Sequence, residues 1–190
     1  MSALPPRSFK RSLFTSYLED LQANGLLSRV RALASAELAA LLDQPRDTEP
    51  WITAAPIDEM NAAVEALSGR EAVRQLGLAV MKGGFTKVLE PIIHLSLSLF
   101  GASPASLFTR AHLMLAVVSR GVEMKWTPAG KTSGSMQVIC GDVVPPVSWA
   151  AWEGTFLYVL ELAGATGTVG EARPAADGRS CAIDVSWKPK

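Results

Sequence analysis

The chain has 190 residues, 48% of them apolar and 19% charged, and its 18 basic residues balance 18 acidic ones. That length supports one domain with its own core, and the composition excludes a disordered chain. Balanced charge argues against nucleic acid or an anionic membrane surface as a partner. Two cysteines, Cys140 and Cys181, are too few for a disulfide framework and point to a reducing cytoplasm. The first residues lack the apolar run of a secretion signal, and the most apolar stretch, Ile92–Phe100, falls short of the ~20 residues of a spanning helix.

Residues 1–7, with Pro5-Pro6, read as a loose tail. Apolar residues at helical spacing (Phe9, Leu13, Phe14, Tyr17, Leu18, Leu21) predict a helix over 8–24 that stops at Gly25. A second helix is expected over 26–42, followed by a proline-broken loop at 44–50 and an anchoring Trp51. Pro56, Asp58 and Glu59 suit the start of a helix ended by Ser68-Gly69, and Arg70–Lys82 reads as the next. Gly83-Gly84 forces a break before a nearly all-apolar helix that ends at Phe100. Ser103-Pro104 opens another, which runs to Arg120 and Gly121.

Beyond Gly121 the period changes from helix to strand. Val122, Met124 and Trp126 alternate with polar residues, as do Met136, Val138 and Cys140 after a turn at 128–134. Ser148 is positioned to cap a helix whose broad face carries Trp149, Trp152, Phe156, Val159, Leu160 and Ala163. Gly154 within it costs roughly 1 kcal/mol of propensity, which implies a close approach, expected to be to the sheet. Gly164, a glycine-diluted strand over 166–172, a turn at 174–178 and a last strand over 181–187 complete the chain. The fold class is α+β: a helical N-terminal half, then α-β-β-α-β-β with a four-stranded, mainly antiparallel sheet covered by helices. Residues 1–190 form one domain on this reading, with 8–68 a helical extension and 70–187 the core module.

Motifs for chemistry fail on inspection. Gly130-Lys131-Thr132 resembles the end of a phosphate loop, but it lies between two strands where such a loop would lead into a helix. Gly164, Gly167 and Gly170 follow a helix, the reverse of the dinucleotide order. His94 and His112 lie on apolar helices without metal-protease spacing, so a partly buried structural histidine is the expectation for each. Cys140 and Cys181 face inward as inert thiols, with no CxxC pair for zinc. No catalytic constellation and no metal site emerge, and no cofactor is expected.

The run from Arg70 to Trp187 resembles an uncharacterised family of proteins of comparable length, paralogous in myxobacteria. The likeness rests on Glu71-Ala-x-x-x-Leu76-Gly77, Gly83-Gly84-Phe85, Leu99-Phe100-Gly101, Trp152-Glu153-Gly154 and Val185-Ser-Trp187. More remotely, the element order is similar to the superfamily joining 4-vinyl-reductase-type sensor domains, TRAPP vesicle-tethering subunits and haem nitric-oxide-binding domains. That resemblance implies a small-ligand or partner-binding module, frequently dimeric. His94 could in principle ligate a haem, yet neither Tyr17 nor Tyr158 begins the Tyr-x-Ser-x-Arg motif of the haem sensors. The zinc site of some 4-vinyl-reductase-type domains would map to Glu171–Cys181, where this chain has Arg173 in place of an expected cysteine.

The first expectation is therefore a non-enzymatic sensory or adaptor module that acts through a protein partner or homodimer. The alternative is a receptor for a small hydrophobic ligand, held by Val88, Ile92, His94 and Leu97 together with Phe156 and Val159. It requires an apolar cavity of about 300 Å3 or more. An unrecognised enzyme ranks third.

Overall fold

A computed structural model of the chain describes residues 3–44, 49–85 and 103–188. It is a mixed α+β fold with antiparallel sheets. The N-terminal half carries β1 (Ser8–Lys10), α1 (Arg11–Ala23), α2 (Leu27–Leu33), α3 (Ala36–Asp43), β2 (Trp51–Thr53), α4 (Ala55–Ser68) and α5 (Arg70–Val80). A π-helical turn at Met81–Phe85 follows α5. The second half has α6 (Pro104–Val118), β3 (Ser119–Arg120), β4 (Val122–Gly130), β5 (Ser133–Cys140), α7 (Ser148–Leu162), β6 (Gly167–Val169), β7 (Arg173–Pro174) and β8 (Ser180–Trp187).

The main sheet runs β4-β5-β8-β6, with β7 also pairing on β8, which makes five strands where four were expected. The extra strand is the two-residue β7, too short to show any alternation. Between β4 and β5 the connection shrinks to Lys131-Thr132, a tight hairpin turn that offers no helix N-terminus to a phosphate. Met136, Val138 and Cys140 on β5 and Cys181, Ile183 and Val185 on β8 are all buried. Burial pushes both thiols up to about 12, so they stay protonated and pack as apolar groups. Phe108 of α6 stacks on Trp126 of β4 at 4.8 Å between ring centroids and meets Phe156 of α7 edge-on at 6.0 Å. These rings hold both helices to the sheet.

A second, three-stranded sheet, β2-β1-β3, was not expected. Residues 8–10 pair with 51–53 on one side and 119–120 on the other, so the chain enters as a strand before α1 begins. Strands of two or three residues carry no readable period, and pairing over long sequence distances decides them. The tail expectation needs correcting at its inner end. Arg7 is buried, and the Pro5 carbonyl lies against Gly121 and Gly141, where any Cβ would sit about 2 Å from it. The helix expected over 26–42 is broken at Ala34, because Ser35 caps α3 through the Leu38 N–H and bonds Glu59. His112 is exposed, contrary to expectation, with its ring Nδ1 3.1 Å from the Thr109 carbonyl oxygen.

The tightest packing is between α5 and α7. A Cβ on Gly154 would lie 2.0 Å from the Arg74 carbonyl oxygen, and one on Gly77 would lie 2.2 Å from that of Ala151. The close approach foreseen at Gly154 is thus to a helix, not to the sheet. Gly154→Ala should lower unfolding free energy by about 2–3 kcal/mol through overpacking. Gly170→Ala, whose Cβ would meet only an ordinary contact at 3.5 Å, should change it by less than about 1 kcal/mol. Urea denaturation of the two variants checks both values.

Candidate functional site

The amphipathic helices converge on one partly open cavity of about 80 Å3. α7 faces it along a single helical stripe, Ser148, Ala151, Trp152, Thr155, Phe156, Val159 and Leu162, at three- and four-residue spacing. Leu13 and Tyr17 from α1, Ile57 and Asn61 from α4, and Val80 with Met81 after α5 close one side. Met114, Leu115 and Val118 from α6 and Met124 from β4 close the other. The walls are chiefly apolar, and the polar groups come from Arg7, Asp58, Asn61, Tyr17, Ser148, Thr155 and Tyr158.

Those polar groups are mutually organised. Arg7 donates from Nη2 to Asp58 Oδ2 at 2.7 Å, and from Nε and its backbone N–H to Asp142 Oδ1 at 3.0 and 2.9 Å. One buried guanidinium thus joins β1's approach, α4 and the segment before α7. Burial works against its charge, but the two carboxylates outweigh it and Arg7 holds its proton more tightly than a free arginine. Tyr17 is buried, and desolvation together with the Asp58 charge raises its phenol against the opposing Asn61 hydrogen bond, so it remains neutral. Asn61, 1% exposed, donates from Nδ2 to Ser148 Oγ at 3.3 Å. Ser148 is therefore a buried bridge to α4; the position before α7 is Val147, and no side chain caps the helix.

On its far side α7 carries Glu153, fully buried. Arg70 binds it with both terminal nitrogens, Nη1 at 3.1 Å, and the Ala172 N–H donates to its Oε1 at 2.7 Å. Trp152, Glu153 and Gly154 thus serve three directions in turn: the cavity, the Arg70 anchor and the α5 backbone. Glu153 is spoken for structurally and does not face the cavity.

Of the residues foreseen for ligand binding, Phe156 and Val159 line the cavity. Val88, Ile92, His94 and Leu97 lie outside the described residues. Tyr17, Asn61 and the three methionines were not foreseen. Asn61 could have been found as the one polar residue in the buried helical series Ile57, Asn61, Val64. A second depression of about 550 Å3 lies between α1, α4 and α5, rimmed by the exposed Asn24, Ser68, Gln75 and Lys82. Among the described residues no group of three or more His, Cys, Asp or Glu could hold a metal ion, and no helix is long and apolar enough to cross a membrane.

The α+β fold is shared with solved structures of H-NOX proteins. The protein from K. algicida, in its Fe(II) unliganded form, superposes with a TM-score of 0.69 at 10% identity, over 95% of this chain and 97% of that one. An H-NOX variant from S. oneidensis in the Fe(II) ligation state gives 0.64 at 12% identity, over 95% and 97%. A variant from T. tengcongensis gives 0.63 at 15% identity, over 95% and 98%. Other matching structures concern haem distortion and porphyrin-tuned redox potential in H-NOX proteins. The likeness establishes the fold. No family model matches the chain, and no curated protein does.

The Arg7 cluster has a pH signature. The Asp142 carboxyl is pulled up by partial burial, but hydrogen bonds and charge from Arg7 prevail and hold it below its ordinary value. A depressed carboxylate contributes stability that is complete above its unfolded value of about 3.9 and is lost as pH falls through the lower folded value. Unfolding free energy should therefore drop as pH is taken below ~4, and Asp142→Asn should be less stable at neutral pH and show a flatter acid limb. Denaturant titrations between neutral and acid pH measure that slope.

Proposed function

We propose that the protein is a non-enzymatic sensory binding module that takes a small hydrophobic ligand into the cavity beneath α7. The observation that carries this reading is the convergence of five helices on one chiefly apolar space that remains hollow at about 80 Å3. Protein interiors pack with few voids larger than a water molecule, and a space of this size lined by three methionines suits an adaptable binding site. The sensor character of H-NOX domains sharing the fold supports the same reading. Output through a protein partner or a second copy completes it, and light scattering with and without ligand reads that output.

The haem of those neighbours is not matched by the described residues. The cavity of this chain, about 80 Å3, falls short of the ~300 Å3 or more expected from the sequence for a hydrophobic receptor, so only a ligand of a few heavy atoms fits it. Arg7 is the one cation among the described lining residues, and both its carboxylate partners already occupy it. No lining guanidinium is left for a porphyrin propionate, and neither Tyr17 nor Tyr158 opens a Tyr-x-Ser-x-Arg motif. The ligand sought is accordingly small and uncharged.

A panel of small apolar compounds in a thermal-shift assay tests the proposal. A ligand present at ten times its Kd should raise Tm by roughly 3–6 °C for a chain of this size. Haemin titrated in parallel should give no saturable one-to-one Soret band. A flat thermal response across the panel, or a stoichiometric haem complex, would overturn the reading.

A further inference from the structure

The polar end of the cavity carries an orphan. Asn61 is 1% exposed and lines the cavity, yet its Oδ1 accepts no hydrogen bond from any described residue. Its Nδ2 donates to Ser148 Oγ at 3.3 Å. That contact engages the nitrogen and leaves the carbonyl oxygen as the open valence. A buried acceptor without a donor is costly, and a group that supplies the donor recovers that cost.

The charges nearby do not call for an ion. Arg7 is saturated by Asp58 and Asp142, so the cluster presents no uncompensated charge to the cavity. The lining also includes Met114, Leu115, Val118 and Phe156, all apolar. Among the described residues the space thus carries one unpartnered buried acceptor, Asn61 Oδ1, beside a mutually bonded polar cluster, the hydroxyls of Thr155 and Tyr158 and otherwise mainly hydrocarbon and thioether.

We propose that the cavity recognises a compact, neutral amphiphile: an apolar body bearing one hydroxyl, whose proton is donated to Asn61 Oδ1. This rests on the ligand-binding reading above and narrows it from any small hydrophobe to an alcohol-like one. Neither a carboxylate nor a purely acceptor group would meet the amide oxygen. A pure hydrocarbon would leave it buried and unpaired.

Three probes of nearly equal size that suit so small a space separate the outcomes: 2-propanol, acetone and propane, titrated into the whole protein and followed by NMR. The alcohol should bind roughly tenfold or more tightly than either of the others, the discrimination expected when a buried acceptor gains its only donor. Asn61→Leu, similar in volume, should remove that preference and improve binding of the hydrocarbon. Equal binding of alcohol and hydrocarbon would overturn the inference while leaving a hydrophobic-ligand module intact. Tighter binding of the ketone would overturn it as well, by showing a donor at the cavity's polar end. Absence of binding by all three would overturn the inference together with the functional reading. The comparison on the unsubstituted protein decides these outcomes even where the leucine variant fails to fold.

Discussion

Two helices whose backbones touch set the geometry of the whole molecule. α5 and α7 meet at Gly77 against Ala151 and at Gly154 against Arg74, with no room for a Cβ at either glycine. Such an approach fixes rotation as well as separation, since any turn of α7 about its axis would bring a side chain into the α5 backbone. With the rotation fixed, the stripe from Ser148 to Leu162 must face the cavity and Glu153 must face Arg70. Fold and site therefore hang on the same contact. The buried Glu153 adds selectivity to it: a carboxylate removed from water is tolerable only in the register that supplies Arg70 and the Ala172 N–H.

The parts of this arrangement that the sequence disclosed are those with a period. α1, α4, α5, α6 and α7 follow the 3.6-residue spacing of their apolar residues, and β4, β5 and β8 follow strict alternation. β1, β2, β3 and β7 have two or three residues each, so alternation cannot distinguish them from coil and only their distant partners make them strands. Ser148 and Gly154 show a different limit. Both looked special for sound local reasons, a cap and a helix-breaking glycine, but their roles depend on which element lies opposite. Phe156 and Val159 were legible as cavity residues because they belong to the α7 stripe. Tyr17 was not, and Asn61 was legible only as the polar member of a buried helical series, because a polar group's value in a cavity depends on partners from other helices.

The H-NOX likeness shows how little a fold fixes about its interior. Where a gap is left in such a fold, side-chain volume and charge decide what it can hold, and the fold alone does not. In this chain the polar end of the gap is occupied by a neutralised arginine, a neutral phenol and an amide. That chemistry presents no uncompensated charge to the gap.

Arg7 sits at the junction of three otherwise separate pieces of chain, and its neighbours depend on its presence. Asp58 and Asp142 come within reach of one guanidinium from opposite sides, and both are at least partly buried. Cleavage of the peptide after Arg7 would let that cation leave and would set two carboxylates against each other beside a hydrophobic chamber. The stretch from Leu4 to Arg7 is therefore tied at its inner end to α4 and to the segment before α7 by a single side chain.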